Sequence, residues 1–195
     1  MKKVFKMMVC ALAACSLFVA CGDEEETEKD GIKVAFGEES WKAADILGVD
    51  YSTVAGVVQL GAFKDLESTT TPYVQGYVPH TPSTVTYNAA NNYYYMFYYE
   101  NDNDYTPGIN RSGDTVNYPN WQPYSFTEEI TAIDLTALTI SGNCSGTLYS
   151  YPEAVAANSV ENATKKDLSV TINNATWENA VSKGKNFKTM GTLAK

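Results

Sequence analysis

Two short stretches, residues 32–36 (Ile-Lys-Val-Ala-Phe) and residues 168–172 (Leu-Ser-Val-Thr-Ile), place an apolar side chain at every second position. This alternation is typical of a β-strand with one face on a core and the other toward solvent. The chain around them is rich in threonine, asparagine and tyrosine, with 14 tyrosines in 195 residues. Threonine and tyrosine fit a pleated surface, and asparagine suits turns, so the composition also favours a β-rich fold.

Further strands are predicted along the rest of the chain, separated by clusters of proline, glycine, asparagine and aspartate. They cover residues 54–63, 73–78, 83–87, 93–100, 135–140 and 144–151. Only residues 40–47 and 176–181 suggest helical turns, and neither segment sustains three turns of apolar periodicity. Many short strands joined by turns predict an all-β fold with at most one or two short helices. We expect an antiparallel β-sandwich, with a small β-barrel as the alternative.

The composition indicates a single domain that does not bind nucleic acid. The chain carries 14 basic and 23 acidic residues and a formal net charge of −9. Nucleic-acid binders present basic surfaces, so this balance excludes nucleic acid as a partner. A fold of this length buries about 70% of its unfolded surface, so it needs neither disulfides nor a metal for stability.

The N-terminus has the three parts of a bacterial export signal: three lysines in the first six residues, an uncharged stretch at 7–20, and a cysteine. Residues 17–21 (Leu-Phe-Val-Ala-Cys) resemble the lipobox of bacterial lipoproteins, and this resemblance implies a signal peptide over 1–20 and a lipidated Cys21. A second box at residues 12–15 is the alternative, but cleavage there would leave apolar residues on the mature protein.

The residues after this cysteine are acidic. Residues 23–26 (Asp-Glu-Glu-Glu) resemble the export signal of surface lipoproteins of the Bacteroidota, which implies an outer-membrane protein exposed on the cell surface. The other interpretation is a solvated spacer. Both interpretations predict a flexible acidic tether over 21–30, followed by one β-rich domain over 31–195.

Catalytic motifs are not apparent in the sequence. His80 is the only histidine, and no nucleophile elbow, zinc-ligand cluster or phosphate loop is present. If Cys21 is lipidated and the two earlier cysteines leave with the signal, Cys144 is left without a disulfide partner. We expect it to be a small buried apolar residue, and we expect the protein not to be an enzyme.

The most unusual segment is residues 93–99 (Tyr-Tyr-Tyr-Met-Phe-Tyr-Tyr), which places large side chains on both faces of a predicted strand. It is either a central strand covered on both sides or a platform on which sugar rings stack. On the second interpretation, Tyr93, Tyr95, Tyr99 and the proline-flanked Trp121 are the ligand-binding residues.

Two further sites are candidates. Glu100, Asp102 and Asp104 offer the oxygen ligands that calcium prefers, but an acidic hairpin loop is the leading interpretation of these residues. We expect no other cofactor. Residues 114–116 (Asp-Thr-Val) resemble the O-glycosylation motif of secreted Bacteroidota proteins, which implies modification of Thr115.

Together these features predict a non-catalytic, lipid-anchored surface domain that binds an extracellular ligand, with a glycan as the leading candidate. One alternative is a structural or accessory subunit that docks on an outer-membrane protein. A third is a barrel that carries a small hydrophobic molecule.

Overall fold

The computed structural model describes residues 30–68, 70–86, 95–107, 126–157, 159–182 and 184. Within these ranges the chain forms twelve strands and two short helices. The strands are β1 (Gly31–Phe36), β2 (Glu39–Lys42), β3 (Asp45–Tyr51), β4 (Val57–Phe63), β5 (Tyr73–Pro79), β6 (Ser83–Thr86), β7 (Tyr95–Glu100), β8 (Asn103–Thr106), β9 (Phe126–Asp134), β10 (Thr139–Ser150), β11 (Lys165–Thr176) and β12 (Glu178–Asn179). The helices are α1 (Ser52–Ala55) and α2 (Tyr151–Ala157).

These strands form one mixed sheet that does not close into a barrel. Its main path runs β12-β3-β4-β5-β7-β8-β10-β11-β1-β2, and β9 and then β6 branch from β10. The neighbours are antiparallel except β12 and β3, which are parallel. We call β2-β1-β11-β10-β9-β6 the first half-sheet and β8-β7-β5-β4-β3-β12 the second half-sheet. Strand β10 connects them, because it pairs with β9 at residues 139–146 and with β8 at Tyr149 and Ser150.

The two half-sheets face each other across one apolar core. Val34 and Val170 of the first half-sheet belong to the same buried cluster as Leu60 of the second. The ring of Phe36 in β1 stacks on the ring of Tyr98 in β7, with 3.9 Å between the ring centroids. Layers of sheet packed face to face around a shared core define a sandwich, so the predicted all-β fold class is confirmed.

The central strand β7 is buried on both faces at residues 96–98. Met96 and Tyr98 lie in the core between the half-sheets, and Phe97 points to the opposite face of the second half-sheet. There Phe97 joins a separate cluster that includes Phe63 and Tyr73. Residues 96–98 therefore fit the interpretation as a central strand and do not form an exposed platform.

Several predicted element types differ from the structure. Residues 40–47 lie mainly in β2 and β3 rather than in a helical turn. Trp41 packs in the core between the half-sheets, and Leu47 packs in the separate cluster that contains Phe97. Residues 176–181 pass from β11 through β12, and Trp177 packs against Gly48 of β3. In these segments, packing against neighbouring strands stabilises the chain more than the weak helical pattern of the sequence does.

The helices are short, as expected. The described part of the chain contains no helix that is both long and apolar enough to cross a membrane. Residues 135–138 form a turn instead of the start of a strand, because Asp134 Oδ1 accepts the backbone N–H groups of Thr136 and Ala137 at 2.8 and 2.9 Å. Such a side-chain hydrogen bond stabilises a turn in competition with the sheet.

Candidate functional site

The predicted acidic loop is a tight hairpin turn between β7 and β8. Glu100 pairs with Asn103, and the two residues between them, Asn101 and Asp102, have φ angles of 48° and 61°. Positive φ at both central positions is the geometry of a type I′ turn, which asparagine and aspartate tolerate better than most residues. The acidic residues are therefore held on a defined backbone.

Tyr99 of this hairpin is the last of three aromatic rings in a row across β4, β5 and β7, namely Phe63, Tyr73 and Tyr99, which we call the aromatic row. The centroid of Tyr73 lies 5.5 Å from that of Phe63 and 4.9 Å from that of Tyr99, and both pairs are stacked. Phe63 and Tyr73 are buried, but Tyr99 is only partly buried. Tyr99 is therefore the ring of the row that remains open to contact.

The hydroxyl group of Tyr99 is fixed by the turn. It donates a hydrogen bond to Asp102 Oδ1 at 2.7 Å. Asp104 lies directly across the strand pair from Tyr99 and shares its face of the sheet. Burial, and then the hydrogen bond to Asp102, raise the pKa of Tyr99. The result is an aromatic ring with its polar end beside carboxylate oxygens.

Glu100 points to the opposite side of the hairpin and takes part in a different network. Its Oε1 accepts a hydrogen bond from Lys166 Nζ at 2.9 Å, and its Oε2 accepts one from the hydroxyl of Tyr98 at 3.4 Å. The Trp41 indole N–H in turn donates to the Tyr98 hydroxyl at 3.3 Å. Lys166 Nζ also lies 5.0 Å from the ring centroid of Phe36, and Glu100 raises the pKa of Lys166. This network connects the two half-sheets.

The three candidate calcium ligands are thus divided between two faces. Glu100 binds Lys166, whereas Asp102 is in the turn and Asp104 is buried on the face of Tyr99. In the part of the chain that the structure describes, no group of three or more histidine, cysteine, aspartate or glutamate residues could hold a metal ion. Calcium binding by these residues stays a prediction.

Of the other sequence-predicted ligand-binding residues, only the backbone of Tyr95 is described. Tyr95 begins β7 and pairs with Tyr77 of β5. Cys21, Tyr93, Thr115 and Trp121 lie outside the described residues, so lipidation, O-glycosylation and ligand contact by these residues stay predictions.

The sequence interpretation missed one buried acidic residue, Glu128. It is fully buried in β9, and among the described residues neither of its carboxylate oxygens has a hydrogen-bond partner. Its neighbours across the strand pairs are Val85 of β6 and Cys144 of β10. Removal from water raises the pKa of the Glu128 carboxyl well above its ordinary value. A signal was present, because Glu128 takes the middle position of an alternation between Phe126 and Ile130.

Cys144 lies where the sequence analysis expected it. It is buried in the core, and burial together with the neighbouring Glu128 raises the pKa of its thiol. A thiol with a raised pKa is poorly nucleophilic, so Cys144 fits a packing role.

Comparison of the chain with known protein families, with characterised proteins and with solved structures found no match.

Proposed function

We propose that this protein is a non-catalytic, lipid-anchored domain of the bacterial cell surface that binds an extracellular glycan at the β7–β8 hairpin. The observation that carries the proposal is the position of Tyr99, which is the partly open end of the aromatic row and is held by Asp102 at 2.7 Å. The signal-like N-terminus and the acidic residues after Cys21 support the surface location.

A stacked ring fixed in place suits the apolar face of a sugar. Tyr73 packs behind Tyr99, so the ring of Tyr99 loses little conformational freedom when a ligand settles on its open side. Sugar hydroxyl groups are hydrogen-bond donors, and the exposed carboxylate of Asp102 is an acceptor next to the ring. The site therefore combines a flat apolar surface with an adjacent acidic oxygen.

The expected affinity is modest. An aromatic contact contributes about 0.5–1.5 kcal/mol beyond the area that it buries. A site with one main ring should consequently bind a monosaccharide unit weakly, with a Kd of about 1 mM or higher, and longer chains that make more contacts should bind more tightly.

The test is a glycan array followed by calorimetry on the domain without its lipid. Tyr99→Ala should abolish binding, whereas Tyr99→Phe should retain the ring contact and weaken binding less. Tyr51→Ala is the matched control, because Tyr51 is also a partly exposed tyrosine but lies at the end of β3. Each variant needs a melting curve, since loss of the stack on Tyr73 also lowers stability.

If the folded Tyr99→Ala variant binds the glycan as tightly as the wild-type protein does, the assignment of the binding site to Tyr99 is wrong. A wild-type domain that binds no glycan but forms a complex with an outer-membrane protein would instead favour the accessory-subunit alternative.

A further inference from the structure

The interior of the sandwich contains an acidic group that the proposed glycan site does not use. Glu128 lies between Phe126 and Ile130 on the inward face of β9, and all three side chains are buried. Both carboxylate oxygens are shielded from solvent, and neither has a hydrogen-bond partner in the described part of the chain. A buried polar group without a partner costs about 1–3 kcal/mol, and a buried charge costs more. Burial at this position therefore favours the neutral carboxyl over the carboxylate.

The strand that carries Glu128 lies near a free edge of the first half-sheet. β9 pairs with β10 on one side and with β6 on the other, and β6 has four residues, Ser83–Thr86. Among the described strands, β6 pairs with β9 alone. On its other side, β9 pairs with β10, and the register of this pair shifts between residues 141 and 142 of β10. The shift interrupts the regular pairing of these two strands. We call β6 and β9 together the β6–β9 edge.

Among the described residues, the groups opposite Glu128 on the neighbouring strands carry no positive charge. Opposite Glu128 on β6 is Val85, and opposite it on β10 is Cys144. Strands β5 and β7 of the other half-sheet also contact β9. The side chains of these two strands that lie in the core are Val74, Val78, Met96 and Tyr98. Of these four, only Tyr98 is titratable, and its hydroxyl is hydrogen-bonded to Trp41 and Glu100.

We propose that Glu128 makes the β6–β9 edge a pH-sensitive closure of the sandwich: the edge is packed while the carboxyl is neutral and opens to water when the carboxyl ionises. The proton is lost to solvent, and no other covalent bond changes, whereas backbone hydrogen bonds of β6 and β9 break as the edge opens. Opening of this edge would expose the core between the half-sheets, because Phe126 and Ile130 leave it together with Glu128.

The sign of the effect follows from proton linkage. In the packed edge the pKa of Glu128 is raised above its ordinary value of 4.5, and in an opened edge the carboxyl returns to that value. The packed form therefore binds the proton more tightly, so its advantage is complete below the ordinary pKa and is lost as pH rises through the raised one. Between the two pKa values the population of the open edge should rise about tenfold for each pH unit.

Hydrogen exchange of backbone amides tests this closure directly. Protection of the amides of β6 and β9, corrected for the intrinsic pH dependence of exchange, should fall about tenfold per pH unit as the pH rises from the ordinary glutamate pKa of 4.5 toward the raised pKa of Glu128. Protection in β11, which lies between β1 and β10, should stay constant over the same range. Glu128→Gln should abolish the pH dependence in β6 and β9. Glu129→Gln is the matched control, because Glu129 is the exposed neighbour on the same strand and should leave the pH dependence unchanged.

A second measurement does not depend on the variant folding. The infrared carbonyl band of a protonated carboxylic acid should persist in the native wild-type protein at pH values above the ordinary glutamate pKa of 4.5, where exposed glutamates are ionised. Absence of that band, or a pH dependence in β6 and β9 that survives Glu128→Gln, would overturn the proposal. Neither result depends on glycan binding at Tyr99.

Discussion

The contact between Gly48 and Trp177 predicts a large effect from one added methyl group. A Cβ atom at position 48 would lie 2.1 Å from Cδ1 and 2.4 Å from Nε1 of the Trp177 indole, whereas ordinary contacts begin at 3.4 Å. The indole ring would have to move by more than about 1 Å. Trp177 has little room for this, because it is 2% exposed and its backbone N–H donates a hydrogen bond to the carbonyl of Leu138 at 2.9 Å. Overpacking of this kind costs about 1–3 kcal/mol.

We place Gly48→Ala at the upper end of that range, about 3 kcal/mol, because three atoms of a rigid ring are within 3 Å of the new group. For a domain of this size the melting temperature should fall by about 6–12 °C. Urea denaturation measures the free energy of unfolding directly. Gly184→Asn is a suitable control, since a Cβ there meets nothing within 4 Å and asparagine tolerates its φ of +63°.

A double-mutant cycle with Trp177→Leu separates the clash from any other cost of alanine. The smaller side chain leaves room for the methyl group, so Gly48→Ala should cost less in the Trp177→Leu background than in the wild type. Equal costs in the two backgrounds, or a loss below about 0.5 kcal/mol in the wild type, would refute the packing argument.

Three further predictions concern other parts of the chain. Lys166→Met should lower the free energy of unfolding by about 1 kcal/mol, because it leaves the mostly buried Glu100 without its cation. In urea denaturation, the double variant Lys166→Met with Glu100→Gln should recover part of this loss. A double variant that is less stable than Lys166→Met alone would contradict the prediction. Cys144 should not react with a thiol reagent in the native protein and should react fully in denaturant, since burial raises the pKa of its thiol; rapid native labelling would disprove its burial. Cys21→Ala should abolish palmitate labelling and membrane association whereas Cys15→Ala should preserve both, and the reverse pattern would assign the lipid to Cys15.

The predictable parts of the fold were those in which a strand follows a simple local pattern. Residues 32–36 and 168–172 alternate cleanly, and they pair with each other as parts of β1 and β11. β9 was not predicted, because Glu128 is an acidic residue at an inward position and broke the apolar alternation. Residues 40–47 were misassigned because the burial of Trp41 and Leu47 depends on strands distant in sequence.

The candidate site shows the same division between local and distant contacts. Tyr99 and Asp102 are three residues apart and their contact is local, but the sequence analysis assigned them to two different candidate sites. The partner of Glu100 could not be predicted in this way, since Lys166 is 66 residues further along the chain. Whether a carboxylate is free to bind a cation or already neutralised depends on such distant partners, and local spacing does not report them.

The pairing of the first strand with nearly the last sets the order in which this fold can be completed. Gly31 of β1 pairs with Asn173 of β11, so β1 can obtain this neighbour only after almost the whole domain has been synthesised. Contacts between such distant residues form slowly, because a long loop must close before they are made. The incomplete chain therefore cannot complete the first half-sheet before β11 has been synthesised. The same delay leaves the β1–β2 hairpin with an unpaired edge in any fragment that ends before β11, and we expect such fragments to aggregate.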